Sequence, residues 1–338
     1  MDDKNFVSIE NYFFVYLNNT TKPQIMKTPP KSYIRCSFWA ENDRRYAMIK
    51  FTMKKKVSKN TDTSWGNVAL WYDEMLEEKE NTYQKNVILP NVLRLADIKK
   101  GETVLDLACG TGFFAREFFK KGARVIGVDI SPELIEIARK NSPKEISYFV
   151  SPADSLGQVK DGSIDKVVII LAIQNIENIS GVFGECKRVL KTGGKIFLIM
   201  NHPAFRIPKK SDWEFDEKSK IQYRRITEYM SESKIKIEMR PSENDSEQTI
   251  SFHRPLQVYF KTLKKNGFCV TGLEEWISDK KSQSGPRATA EDKARKEFPL
   301  FLFMEAKKLL TWEFNSQVRS LHKKSPELNH FWFNSGDQ

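Results

Sequence analysis

The sequence predicts an α/β protein: a mostly parallel sheet covered by helices on both faces. Three observations carry this. Short, continuously apolar runs alternate with amphipathic stretches of helical spacing from residue 103 to residue 200. One of those junctions, VLDLACGTGFFAREF (104–118), passes from strand to helix through a glycine turn. With 338 residues the chain can bury a full core.

Taken in order, WGNVALWYDEMLEEKENTYQKNVILPNVLRLADI (65–98) has apolar residues at helical spacing and predicts two helices broken at Pro90. TVLDLA (103–108) reads as the first strand of the sheet, FFAREFFKKG (113–122) as a helix, and ARVIGVD (123–129) as the second strand. PELIEIARKN (132–141) is a helix, SYFV (147–150) the third strand and KVVIILAI (166–173) the fourth. ISGVFGECKRVLKTGG (179–194) predicts a helix closed by a glycine turn, and KIFLIM (195–200) the fifth strand. Residues 202–250 are polar and irregular, too long for a simple connection, and predict a cap or lid. A helix follows from Pro255 to Gly267, then strands at 269–276 and 299–308 with a polar loop, DKKSQSGPRATAEDKARKE, between them.

Outside this block, residues 1–62 read as an extension of low order or a small accessory element. It has a short strand at YFFVYL (12–17), breakers at KTPPKS (27–32) and basic MKKKVSKN (53–60). Residues 309–338 form a tail whose His322 and His330 are expected at the surface. The division is therefore 1–62, 63–308 with a 202–250 insertion, and 309–338.

A formal charge of +11 and a pI near 9.3 suit an anionic partner, whether RNA, an acidic membrane or a phosphorylated substrate, as readily as they serve solubility. Cys36, Cys109, Cys186 and Cys269 are widely spaced, without CxxC or a nearby histidine, so neither a disulfide framework nor a metal site is expected. The longest apolar run, VVIILAI (167–173), is too short to span a bilayer, and MDDKNF does not open a signal peptide. The expectation is a cytoplasmic protein without stable membrane insertion. Its oligomeric state stays open.

Gly110 and Gly112 let a ligand approach the backbone at the start of a helix. Asp129, closing the next strand, stands where it can accept hydrogen bonds from a ribose diol. Gly110-x-Gly112-x-x-Ala115 with Asp129 also fits the dinucleotide fingerprint. Against that reading, Asp106 sits inside the first strand, where it suits a cationic amino group better than a pyrophosphate. No second mononucleotide half follows.

DLACGTG, VIGVDIS and RVLKTGGKIFLI in this order resemble the class I S-adenosylmethionine-dependent methyltransferases, in particular the ubiquinone/menaquinone-methyltransferase-like group acting on small molecules. The resemblance runs from Trp65 to Lys308. It implies a Rossmann-like, doubly wound, seven-stranded sheet with an antiparallel final strand and a lid after strand five. It also implies S-adenosylmethionine as cofactor and transferase activity toward a small molecule. Asp106 with the loop Ala108, Cys109, Gly110, Thr111 and Gly112 would hold the methionine end. Asp129 would take the ribose and Ile130 the adenine face, with Ala153 and Asp154 at the adenine edge. Leu171 would line the pocket through its backbone, and Tyr72 would fold over the cofactor. The chain departs from the family at Ala108, where glycine is frequent, and at Pro152, where an acid is common.

Methyl transfer is an in-line displacement that needs alignment, desolvation and, for a protonated nucleophile, a base. His202 and His253 are the base candidates, each weighed against a structural role. NHPAF (201–205) follows the fifth strand rather than the fourth and lacks adjacent prolines, unlike the [DN]PP[YF] tetrad of adenine and glutamine N-methyltransferases. Asn201, Phe205 and Arg206 are placed on the acceptor side, joined by Arg254 in SFHRPL. The interleaved cations and aromatics of FRIPKKSDWEFDEKSKIQYRRI (205–226) keep RNA or protein methylation open as an alternative. A cofactor-binding, non-catalytic relative is the other.

Overall fold

The computed structural model describes residues 65–239 and 247–309, together with three backbone strands nearer the N-terminus. The chain divides into two units, Met1–Thr61 and Asp62–Gln338. In the first, β1 (Phe6–Leu17), β2 (Ile34–Glu41) and β3 (Arg44–Lys56) form an antiparallel sheet with β3 central. The breakers expected at 27–32 and the tail from residue 310, with His322 and His330, lie outside the described residues.

The second unit begins with α1 (Ala69–Glu78) and α2 (Leu89–Ala96). Pro90 does not separate the two helices: it lies in the first turn of α2, which continues directly from a π-helical turn at Gln84–Ile88. Then come β4 (Thr103–Leu107), α3 (Phe113–Lys120), β5 (Arg124–Asp129), α4 (Pro132–Asn141) and β6 (Ser147–Val150). They are followed by β7 (Ile164–Ile170), α5 (Ile179–Val189) and β8 (Leu190–Asn201). The remaining elements are β9 (Ser211–Asp216), β10 (Ile221–Ile226), β11 (Ser233–Glu238), β12 (Gln248–His253), α6 (Leu256–Lys265), β13 (Phe268–Trp276), α7 (Ala288–Glu297) and β14 (Phe301–Lys308).

Seven strands form one sheet in the order β13-β14-β8-β7-β4-β5-β6, with β14 antiparallel to both its neighbours and every other adjacent pair parallel. This is the Rossmann-like, doubly wound sheet the sequence predicts. The chain travels outward from β4 to β6, then returns to the other side of β4 for β7. The strand order therefore reverses between β4 and β7, and a ligand crevice opens at their carboxyl ends.

Alternation along the strands builds the two covered faces. Ile196, Leu198 and Met200 of β8 join one core with Phe183 of α5, while Phe197 and Ile199 face the other with Phe118 of α3. Phe118 and Phe183 are fully buried, each contributing about 1.5–3 kcal/mol.

Two regions differ from expectation. The described residues between 202 and 250 are not irregular throughout: β9 pairs with β10 and β11 with β12, each pair antiparallel. SKIKIE and IQYRRI alternate exposed with half-buried positions, the period of a strand with one solvated face. The polar segment 279–297 is not all loop, because α7 occupies its second half. Only Ala294 of α7 is buried, so no apolar period marks the helix, and residues of high helical propensity supply it instead.

Candidate functional site

The glycine turn lies at the carboxyl end of β4. Ala108, Gly110 and Gly112 all have positive φ, at 60°, 55° and 76°. Gly112 tolerates no side chain, since a Cβ there would fall 2.4 Å from the Tyr148 hydroxyl. Ala108 occupies a conformation that glycine adopts freely and alanine does not, so the departure from the family at this position stores strain. Cys109 is buried with its thiol pushed up by that burial, so it serves packing.

Two buried carboxylates face this turn. Asp129 accepts hydrogen bonds from Gly110 N at 2.9 Å and Ser131 N at 3.0 Å. Asp106 is 2% exposed, and its Oδ2 has no hydrogen-bond partner. Burial, then the neighbouring Asp129 charge, push the Asp106 carboxyl up to about 7, opposed by the Ala115 backbone N–H. Asp129 is raised as well, by burial. An orphaned carboxylate oxygen beside a second acid asks for a cation. Thr111 Oγ1 is also buried without a partner.

Helix α1 covers the turn. A Cβ on Gly110 would stand 3.6 Å from Tyr72 Cε1, and the Tyr72 hydroxyl is pushed up to about 12, by burial first and also by the Asp129 and Asp106 charges. Trp65 packs edge-on against Tyr72 at 5.5 Å. Arg116 ties α1 to the turn, donating to Thr111 O at 2.8 Å and pairing with Glu77 of α1. Asn141 of α4 donates to Asp73 at 2.9 Å. Sequence reasoning singled out Tyr72 but missed the Arg116–Glu77 staple.

Ile130 and Ala153, expected near the adenine, follow the ends of β5 and β6, with Ser151 N bonded to Asp129 O at 2.8 Å. Asp154 accepts from Asn178 Nδ2 at 2.7 Å, so its carboxylate fixes the start of α5. Leu171 ends β7 at φ 53°, and its carbonyl accepts from Gln174 Nε2 at 2.7 Å. Gln174 Oε1 is buried without a partner. Gln174, in LAIQNIEN, is a site residue that the sequence did not single out. It joins Leu171 to the wall of the cavity that Asn201 also lines.

A cavity of ≈ 280 Å³ opens from Gln174 and Asn201 toward the hairpins, bounded by Arg206, His253 and Arg254. The two histidines differ. His202 is 4% exposed, its Nδ1 accepts from Ala204 N at 3.2 Å and its Nε2 lies 2.7 Å from Glu275. With Nδ1 accepting, Nε2 carries the proton and donates to Glu275. Burial holds His202 below its ordinary pKa despite that carboxylate. Both nitrogens are engaged and the ring packs on Phe205 at 4.7 Å, so His202 pins the end of β8 to β13 and the base reading gives way to the structural one. His253 lines the cavity, with Nε2 donating to Tyr229 O at 2.8 Å. Phe205 packs between His202 and Phe298.

The residues converging on the turn fit the cofactor the resemblance implies. Asp106 has an unanswered oxygen for an amino group, Asp129 closes the neighbouring strand, and the glycines leave the backbone open. Among the described residues no cluster of histidine, cysteine or acid is arranged to hold a metal, and no helix is long and apolar enough to cross a membrane.

Comparison with known proteins places this geometry. Residues 105–198 match the methyltransferase domain family. The chain is 33% identical over 101 residues to the ubiquinone biosynthesis O-methyltransferase of Xanthomonas oryzae pv. oryzae, 29% of this chain and 42% of that protein. It is 33% identical over 113 residues to the demethylmenaquinone methyltransferase of Tropheryma whipplei, 32% of this chain and 46% of that protein. The chain thus spans under half the length of these two relatives. The crystal structure of an S-adenosylmethionine-dependent methyltransferase from Mesorhizobium loti shares the fold, with a TM-score of 0.54 and 24% identity over 65% of this chain and 96% of that one. The sheet order, the glycine turn with its two buried acids and the match over residues 105–198 agree: the α/β unit contains a region similar to the methyltransferase domain family on a Rossmann-like methyltransferase fold.

Proposed function

We propose that the chain transfers a methyl group from S-adenosylmethionine to a small-molecule acceptor held between the carboxyl ends of β7 and β8 and the two hairpins. The observation that carries this reading is the unpartnered Oδ2 of Asp106, buried beside Asp129 at the glycine turn. The cofactor supplies an activated methyl on a sulfonium, so the protein's work is alignment and exclusion of water. Asp106 holds the amino group and the turn from Ala108 to Gly112 the carboxylate. Asp129 takes the ribose, Ile130, Ala153 and Asp154 border the adenine, and Tyr72 closes the site from α1. Asn201, Phe205, Arg206 and Arg254 face the acceptor, with the 202–250 hairpins as its cap. His253, rather than His202, is the histidine that lines the cavity and so faces the acceptor.

The lid's cations favour a small acceptor over a nucleic acid. Arg225 pairs with Glu214, Lys210 with Glu228 at 2.6 Å, and Arg224 stacks on Trp213 at 5.0 Å, so few remain for a phosphate backbone. The quinone-methylating relatives support the same class. Labelled methyl donor incubated with the protein and a metabolite extract should give labelled small molecules. Label appearing only in RNA or protein, or S-adenosylhomocysteine failing to bind, would overturn the reading.

A further inference from the structure

The cavity between Asn201 and the hairpins is lined by four cations and, among the described residues, by no acid. The larger cavity on the other side of Arg254, ≈ 430 Å³, has Glu177 and Glu232 in its wall, so the imbalance belongs to this one. Arg254 is 6% exposed. Its Nη2 donates to Ile176 O and Glu177 O at 2.9 and 2.8 Å, and its Nε lies 3.9 Å from Glu232. Its Nη1 has no hydrogen-bond partner. Arg224 spends its donors on Phe205 O at 2.9 Å and Ser211 Oγ at 3.0 Å, neither of them charged. The side chains of Arg206 and Lys209 on the rim have no hydrogen bond or ion pair among the described residues.

An arginine keeps its charge when buried, and a buried donor without a partner is costly. The donor's own sulfonium would add another positive charge at the mouth of this cavity, and Glu232 answers Arg254 only from the far side, so a neutral acceptor would leave most of the group's charge uncompensated. We infer that the acceptor carries an oxyanion, a carboxylate or phosphate, seated between Arg254 Nη1 and the Arg206–Lys209 rim. This inference rests on the methyl-transfer reading for the word acceptor, but the anion site stands on its own geometry. An arginine fork matches either oxyanion, and the cavity suits a molecule of metabolite size.

Calorimetric titration of the full chain, with and without S-adenosylhomocysteine, would use inorganic phosphate, benzoate and benzamide, the last as benzoate's uncharged isostere. Phosphate or benzoate should bind at least about 10-fold more tightly than benzamide. The rim variant Arg206→Gln/Lys209→Gln should lose most of that preference while binding S-adenosylhomocysteine as before. Arg254→Gln should lose more, provided its melting temperature shows it folded; the exposed rim variant decides the matter if it is not. Both anions binding no better than benzamide, or the rim variant keeping the full preference, would overturn the anion site. Failure of S-adenosylhomocysteine to bind would instead overturn the methyl-transfer reading, with the phosphate and benzoate titrations still deciding the anion site.

Discussion

The two halves of the crevice carry opposite charge. At the carboxyl ends of β4 and β5, Asp106 and Asp129 are buried beside the glycine turn, and both are raised by burial. Across Gln174, beneath the hairpins, Arg206, Lys209, Arg224 and Arg254 share a cavity. Each half is destabilised by charge that nothing in the folded chain fully answers, and each would be relieved by a ligand of the opposite sign. Charge left uncompensated in this way is stability given up for binding.

The largest expected effect comes from breaking the acidic half. Asp106→Asn should weaken S-adenosylhomocysteine binding by about 10–100-fold, the loss of a charged hydrogen bond. It should also raise the melting temperature of the ligand-free protein at pH 8, because the variant no longer buries a carboxylate. The sign follows from the raised pKa. The folded value of about 7 lies above the unfolded value of about 4, so wild-type stability falls as pH rises across that window and the variant's does not. Next is the cover over that half: Tyr72→Ala should cost about 10-fold in cofactor affinity, measured by the same titration, while leaving phosphate binding unchanged.

His202 sharpens the boundary with the cationic half. His202→Phe should lower stability by about 1–3 kcal/mol in a denaturant titration. It should leave kcat within about 3-fold, whereas removing a general base would cost ~10²–10⁴-fold. Because burial depresses the His202 pKa, its contribution to stability should be lost as pH falls below about 6.5. The smallest effect is Ala108→Gly, which relieves the positive φ and should add about 0.5–1 kcal/mol, read as a shift in denaturation midpoint.

The acidic half was legible in the sequence because its residues are contiguous. DLACGTG and VIGVD each place an acid and a turn at a strand end, and the periodicity that marks the strands also fixes where the acids point. The sheet was readable for the same reason. The cationic half was legible only in part. Arg206 and Arg254 could be named, but they meet only because two hairpins fold across β8, and a segment of short, polar strands gives little apolar period to read. Gln174 carries no motif and matters only through its unpaired oxygen. His202 drew attention by its place after β8, yet its partner Glu275 lies 73 residues away on an alternating strand where nothing marks it. Local pattern reveals what neighbours in sequence do; long-range ion pairs stay hidden until the sheet is assembled.

Titration calorimetry of the full chain with S-adenosylhomocysteine at pH 6, 7 and 8, in two buffers of different ionisation enthalpy, tests the central claim most directly. One site is expected, with affinity rising with pH through about 7 and proton release at pH 6 as the ligand's ammonium group draws Asp106 into its ionised form. Binding of NAD in place of S-adenosylhomocysteine, or binding with no proton release and no pH dependence, would contradict it.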